Sequence, residues 1–356
     1  MNNVTYRTAA EAVKAPVGEV ELVACDKCAA VFNSAFDPDI LEYDRHYDNS
    51  RDSSPAYRDY LDELASKVGK DIRKDARILE VGCGNGDFLK KLCDRTHARG
   101  FGYDRAYTGD GVQGSVIFRK EYFSPSAADS GYDVLILRHV LEHLHKPYLF
   151  LKQICRPSVL AKGAKICVEV PDLEWIVRKE AFYDITYEHC NYFCRKSLAA
   201  LISSAGFRDI RISNVFGGEY ILLEAVYDPT ACKDAMSGRP EASGIDLGNV
   251  LKGIKRERDD FIRSAENLCV WGASGKGVLF LSALNDELLK RVKYVVDINE
   301  KKQGRFLPVS AKRIEPPAVL RKATGKIDVL VMNSVYKKEI EGALSGMGIN
   351  AKAHIL

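Results

Sequence analysis

Between Asp184 and Phe193 the chain reads DITYEHCNYF, a run dense in side chains that take and give protons. His189 ends the Tyr187-Glu188-His189 stretch at its centre. An imidazole, with a pKa of about 6.5, is mostly neutral at pH 7 and accepts a proton without a large environmental shift. Glu188 is able to hold that imidazole in one tautomer if the backbone turns both side chains inward. Asn191, two residues on, offers an amide to a substrate. A second imidazole, His143, follows the apolar strand-like run that ends at Leu137. It reads in two ways, as a base on the open rim of a sheet or as a helix-start residue bonded to local backbone. The run around His189 likewise reads as proton-transfer machinery or as the wall of a substrate entrance.

Two glycine-rich turns point to ligands. In Glu80-Val81-Gly82-Cys83-Gly84-Asn85-Gly86 the glycines permit a tight turn and close backbone approach, and the helix that follows offers N–H groups at its start. The spacing is GxGxG, with Asp87 where a dinucleotide fingerprint needs its last glycine, which counts against NAD. Glu80 would repel a pyrophosphate but suits a cation such as an amino-acid ammonium. Asp104 stands 18 residues past Gly86, at the end of the next strand-like segment, where it can accept hydrogen bonds from a ribose diol. The second turn is Gly272-Ala273-Ser274-Gly275-Lys276-Gly277. It is not a Walker loop, because Gly277 follows Gly-Lys and Val270 sits where the first glycine belongs. A helix start carrying Lys276 suits an anionic group such as a diphosphate, or else serves plain strand-helix packing. Asp297 and Asn299 close the next strand-like segment and can bind hydroxyls, while Lys301, Lys302 and Arg305 read as a solvated face.

These residues need a scaffold, and both turns sit in the same local order: an apolar strand, the turn, a helix, then a strand ending in Asp. Strands alternating with helices imply parallel α/β construction, here twice. The division expected is an N-terminal unit over 1–54, a core over 55–230, a linker over 231–248 and a C-terminal unit over 249–356. The linker falls in the Pro-, Gly-, Ser- and Ala-rich stretch from Tyr227 to Gly248. Ser54-Pro55 opens a predicted helix through Val68, with Tyr57, Tyr60, Leu61, Leu64 and Val68 at helical spacing. A second helix is predicted over SLAALISSAGF, with Leu198, Leu201 and Ile202 as its apolar positions.

Composition bounds the function classes. The 356 residues are 46% hydrophobic and 28% charged, which excludes disordered and low-complexity readings. Lys plus Arg exceed Asp plus Glu by 52 − 49, a net charge of +3 with no basic stripe, against a nucleic-acid partner. Apolar runs fall short of the roughly 18 residues that span a bilayer, and the start MNNVTYRTAAEAVK lacks a secretory pattern. A cytoplasmic protein without a membrane partner is expected, its ten cysteines reduced. Only Cys25 and Cys28 form a CxxC.

ILEVGCGNG, the YD at Asp104, and YDVLILRHVLEHLHKP at Asp133 to Pro147 together resemble the ordered motifs of class I S-adenosylmethionine-dependent methyltransferases. That resemblance implies a Rossmann-like core with S-adenosylmethionine as cofactor, held by Glu80, Gly82, Gly84, Gly86, Asp104, Tyr122 and Arg138. Glu121, Tyr122 and Phe123 match the adenine-flanking position, although the Tyr-Phe pair also reads as core. The wider pattern, YEHCNYF, FGGEY, WGASGKG, VVDINEKKQGRFLP and DVLVMNSVYKKEI, resembles the nucleotide-sugar C-methyltransferase family over nearly the whole chain from Cys25. The resemblance implies a small N-terminal unit, a methyltransferase core and a second Rossmann-like C-terminal domain enclosing a nucleotide-linked keto sugar. It also implies a role in carbohydrate biosynthesis. The implied chemistry is removal of a proton beside a ketone, with methyl transfer to the enolate carbon. By position His189, Glu188, His143, Tyr187 and Tyr47 carry the catalysis, and Asn191, Lys276 and Asp297 hold substrate. Two departures mark the acceptor side. Thr186 stands where the family has tyrosine, and Phe216-Gly217-Gly218-Glu219 replaces histidine-Gly-Gly-Ser. Methylation of a sugar oxygen or nitrogen, or of another small metabolite, is the sister reading. A non-catalytic cofactor-binding protein is the reading from a different class. The family's zinc unit uses four cysteines, so with Cys25 and Cys28 alone no bound metal is expected.

Overall fold

The structure is a computed structural model, and it describes residues 4–26, 29–41, 53–125, 130–230 and 258–355. Cys28, Tyr47 and the linker over 231–248 lie outside the described residues. Helix α1 (Ala9–Val13) precedes a hairpin of β1 (Leu22–Ala24) and β2 (Val31–Asn33). The following segment holds α2 (Pro55–Gly69), β3 (Arg77–Val81), α3 (Asp87–Thr96), β4 (Arg99–Tyr103), β5 (Val112–Gln113), β6 (Val116–Arg119) and β7 (Tyr132–Arg138). It continues through α4 (Pro147–Ile154), β8 (Leu160–Pro171), α5 (Leu173–Arg178), β9 (Asn191–Tyr192), α6 (Arg195–Ser204), β10 (Phe207–Val215) and β11 (Tyr220–Tyr227). After helical residues 258–264 (α7) come β12 (Leu268–Trp271), α8 (Gly275–Ser282), α9 (Asp286–Arg291), β13 (Val292–Val296), β14 (Ile327–Val331), α10 (Lys337–Gly346) and β15 (Ala351–His354).

Helix α2 forms as its sequence predicts. The Ser54 side chain accepts from Tyr57 N–H at 3.2 Å, Pro55 occupies the first turn, and Tyr57, Tyr60, Leu61, Leu64, Ala65 and Val68 are buried. In α6, Leu198 and Ile202 are buried and Leu201 is partly so.

The large sheet has the order β10-β11-β8-β7-β3-β4-β6-β5. From β6 to β8 its strands are parallel, whereas β11 runs antiparallel to both β8 and β10. The chain order reverses between β3 and β7, and a ligand crevice belongs at the carboxyl ends of those two strands. A second sheet, β13-β12-β14-β15, is wholly parallel. This is the α/β architecture that the two strand-turn-helix segments predict: a Rossmann-like core sheet and a second parallel sheet. A third small sheet pairs β2 with β9, so the N-terminal hairpin is completed by the strand just after His189. Tyr6 in turn bridges to Phe306 beside the second sheet.

The two large sheets share a core. Leu173, Trp175 and Ile176 of α5 cluster with Val278, Phe280 and Leu281 of α8. Burial of this kind stabilises by about 25 cal/mol per Å² of apolar area, so it holds the two sheets in register. Among the described residues no helix is long and apolar enough to cross a membrane.

Candidate active site

A cavity of about 600 Å³ opens at the carboxyl ends of β3 and β7. Glu80, Gly82, Gly84, Asp104, Tyr122 and Arg138 line it, with Glu121, Phe123 and His143. Glu80 is 2% exposed, and burial pushes its carboxyl up to about 8 against the pull of Arg138. Its Oε2 has no hydrogen-bond partner. An orphaned buried carboxylate oxygen on a cavity wall is the complement of an ammonium, so the residues present fit an amino-acid ligand. Asp104 accepts from Gly84 N–H at 2.8 Å and from Ala106 N–H at 2.7 Å. It therefore pins the turn, and each oxygen keeps a lone pair for a ribose hydroxyl. Tyr122 is 66% exposed with Arg105 over its ring, while Phe123 meets Tyr103 edge-on in the core.

One predicted cofactor contact is corrected. Gly86 does not line the cavity: it is the left-handed N-cap of α3 (φ 79°), and a Cβ there would lie 2.3 Å from the Phe118 ring. Its glycine is a packing requirement. Arg138 reaches the cavity wall, but its guanidinium is committed to Glu169 at 3.2 and 3.4 Å and stacks over Phe88 at 4.4 Å. Glu169 is fully buried and also accepts from Tyr60 Oη at 2.5 Å. Burial would raise its pKa, but Arg138, His139 and Tyr60 outweigh burial and hold it well below the usual carboxylate range. This buried cluster is a charged floor beneath the cavity.

The second cavity, about 220 Å³, lies between the core and the C-terminal sheet. His139 and His143 line both cavities and therefore mark where they meet. His139, which residue spacing did not single out, has φ 53°, sits between Glu142 (Nδ1 to Oε1, 3.2 Å) and Glu169 (Nε2 to Oε1, 2.8 Å), and packs against Tyr220. Burial lowers its pKa, but the two carboxylates outweigh burial and the net direction is upward. His143 Nδ1 lies 2.9 Å from the Glu188 carbonyl oxygen. A carbonyl only accepts, so Nδ1 carries a hydrogen, and in the neutral ring Nε2 is the acceptor. His189 also lines this cavity, its ring 4.8 Å from that of His143 in an edge-on pair. Glu188 is buried on the same wall, and its backbone carbonyl is what orients His143.

Tyr187 and Asn191 do not line either cavity. Tyr187 Oη accepts from Asp37 N–H at 2.8 Å and donates to Asp37 C=O at 3.1 Å, and its ring lies against Gly18, so it anchors the N-terminal segment. Asn191 donates to Leu144 C=O at 2.6 Å, tying β9 to the turn that carries His143. Lys276 lines the second cavity, yet its ammonium bridges Asp184 at 3.0 Å and Glu219 at 2.8 Å across the two sheets. Burial lowers its pKa, the two carboxylates outweigh that, and the net direction is upward. The expected anion contact is instead an ion-paired lock. Asn333 donates to the other Glu219 oxygen at 2.8 Å and reinforces it. Asp297 lines the cavity but accepts from Ala273 N–H at 2.7 Å and Asn299 N–H at 2.8 Å, so it pins the second turn.

For a metal, Glu142, His143 and His189 bring one ligand-type atom each to within 4.8 Å of one another. A carboxylate with two imidazoles suits a divalent transition ion. His139 and Glu169 carried no spacing signal, because they meet across two strands of the sheet, and Glu142, Asp184 and Glu219 stood in the sequence only as members of longer motifs.

Residues 47–212 match the family described as Methyltransferase domain. The C-methyltransferase NovU of Streptomyces niveus is 24% identical over 326 residues, covering 84% of this chain and 76% of that protein. The indolepyruvate C-methyltransferase of Streptomyces griseus is 40% identical over 45 residues, 13% of this chain and 14% of that one. A crystal structure of an S-adenosylmethionine-dependent methyltransferase from Archaeoglobus fulgidus superposes with a TM-score of 0.38 at 18% identity, over 48% of this chain and 94% of the other. The chain carries a methyltransferase domain, and its cofactor is S-adenosylmethionine.

Proposed function

We propose that this S-adenosylmethionine-dependent methyltransferase places a methyl group on a carbon of a nucleotide-linked keto sugar, after removing the proton beside the ketone. The observation that carries the reading is the shared wall of the two cavities, His139 and His143. A methyl donor in one and an acceptor in the other meet there. Bound S-adenosylmethionine supplies an electrophilic methyl group on a sulfonium. The protein has to hold the acceptor carbon in line and take its proton. His189 is the base in this reading, since it lies on the acceptor side only, and the edge-on His143 ring keeps it in place. The low-identity C-methyltransferase relative supports carbon as the acceptor atom, and a nucleotide-linked sugar is what the motif resemblance implies.

His189→Asn tests the assignment. Turnover should fall by about 10² to 10⁴, with S-adenosylmethionine affinity unchanged. With the methyl donor withheld, wild type should exchange the substrate proton with deuterated water and the variant should not. Mass and NMR of products from a panel of nucleotide 4-keto sugars identify the acceptor atom, and an O-methyl product overturns the carbon assignment. If the variant keeps more than about a tenth of the rate, the base is His143 or Tyr47.

One observation favours a second reading. Glu142 Oε2 is buried without a hydrogen-bond partner beside His143 and His189. His143 is oriented through its other nitrogen by a carbonyl, as metal-ligating histidines are. In this reading the three side chains hold a divalent ion that polarises the acceptor oxygen. Chelation followed by metal analysis separates the two: a free-base His189 predicts full turnover after metal removal, and an ion predicts its loss.

A further inference from the structure

We infer that Glu339 is a positioning residue for methyl transfer: from helix α10 it fixes helix α2, and through α2 the wall of the cofactor cavity. This rests on S-adenosylmethionine as the cofactor and is independent of which acceptor is methylated. The first turn of a helix leaves N–H groups that must be satisfied from outside it. In α2, Pro55 has none, Tyr57 N–H donates to Ser54 Oγ at 3.2 Å, and Arg58 N–H donates to Ser54 C=O at 3.1 Å. Ala56 N–H is served from the C-terminal part of the chain. Glu339 Oε2 accepts from it at 3.1 Å and from Ser54 Oγ at 2.7 Å. Glu339 also stands in the first turn of α10, whose Ile340 and Leu344 pack on the second parallel sheet. One carboxylate therefore faces the positive starts of two helices, where negative charge is favoured.

Beyond that cap, α2 turns toward the methyl donor. Tyr57 and Leu61 line the cofactor cavity, and Tyr60 donates to Glu169 in the charged floor beneath it. Ser54 and Glu339 line the other cavity, between the two sheets. The same helix thus borders both cavities. An aromatic contact runs beside the polar one. Tyr336, just before α10, meets Phe216 edge-on at 5.9 Å, and Phe216 packs on Tyr57 at 5.9 Å and on Tyr60 at 4.8 Å. Phe216 is buried and lines neither cavity, so its part is to carry contact from the C-terminal segment to α2. The aromatic contact holds the helix from the side, whereas Glu339 closes its first turn. A helix start that loses its cap frays. Each frayed molecule lacks part of the cofactor wall, and apparent affinity falls with the competent fraction.

Calorimetric titration of the full chain with S-adenosylmethionine, together with hydrogen exchange of α2 followed by mass spectrometry, tests this. Glu339→Ala should weaken S-adenosylmethionine by about three- to tenfold. It should also speed amide exchange over residues 56–61, and saturating S-adenosylmethionine should restore the protection. Glu339→Gln keeps an acceptor oxygen at the same place and should recover most of the affinity. In a Tyr57→Leu background, where the wall contact is already altered, Glu339→Ala should cost little more, because both changes act through one helix. A merely stabilising Glu339 would lower the urea midpoint and leave cofactor affinity as in wild type, and that outcome overturns the proposal. So does a Glu339→Ala loss as large in the Tyr57→Leu background as in wild type. Should Glu339→Ala fail to fold, Glu339→Asp draws the carboxylate back by one methylene, and unchanged affinity there overturns the proposal as well. Cofactor binding needs no acceptor, so failure of the keto-sugar reading leaves every arm of this test intact.

Discussion

In the turn after β3, Asp104 accepts from Gly84 N–H and from the N–H two residues beyond itself. In the turn after β12, Asp297 accepts from Ala273 N–H and again from the N–H two residues beyond itself. The two turns share one backbone frame: a strand, a glycine turn, a helix start, and a neighbouring-strand Asp that holds the turn down. They differ in the buried charge beside the frame. The first has Glu80, with an orphaned oxygen, and the second has Lys302, which donates to Ser274 and forms no ion pair among the described residues. The frame sets where a ligand lies, and a single buried side chain sets the charge beside it. The ammonium end of a methyl donor suits the first turn.

Four changes break or sharpen that comparison. The largest effect belongs to Lys276→Met, which removes the cation that locks the two sheets together. It leaves Asp184 and Glu219 buried without their cation, and loss of one partner of a buried pair costs about 3–5 kcal/mol. Urea unfolding should show that loss, and a change below about 1 kcal/mol would reduce the lock to an ordinary surface pair.

Next is Glu80→Lys, which gives the first turn the charge of the second. S-adenosylmethionine affinity should drop by about 100-fold or more, with UDP binding unaltered. Retained affinity would mean that the ammonium is bound elsewhere.

A smaller effect follows from protonation. With its pKa raised to about 8, Glu80 is mostly neutral at pH 7 in the free protein, whereas an ammonium needs it charged. Binding of S-adenosylmethionine at pH 7 should release close to one proton, seen as a buffer-dependent binding heat. Affinity should fall about tenfold from pH 7 to pH 6, because each pH unit below the raised pKa lowers the ionised fraction of Glu80 about tenfold. Glu80→Gln should remove both the release and the slope.

The smallest changes are expected from the two pins. Asp104→Asn and Asp297→Asn each keep one acceptor oxygen and should weaken only their own ligand, by about three- to tenfold. Crossed effects, with Asp104→Asn weakening UDP, would show that the two turns are coupled rather than independent.

What the sequence determined by itself was local. The Ser54-Pro55 start and the helical spacing after it specify α2, and the apolar runs leading into glycine turns specify β3-α3 and β12-α8. The same order places Asp104 and Asp297 beside those turns, because a strand-turn-helix unit followed by a parallel strand brings the second strand's end to the first turn. The tertiary structure decided which charges are paired. Lys276 meets Asp184 and Glu219 from other elements, Lys302 donates to Ser274, Tyr187 turns to Asp37, and His139 acquires Glu169 from β8. A buried ion is worth what lies within a few ångströms of it, and here those neighbours come from distant segments of the chain. Residue type and spacing therefore locate both turns, but only the packed sheets determine which of the two lysines is ion-paired across them.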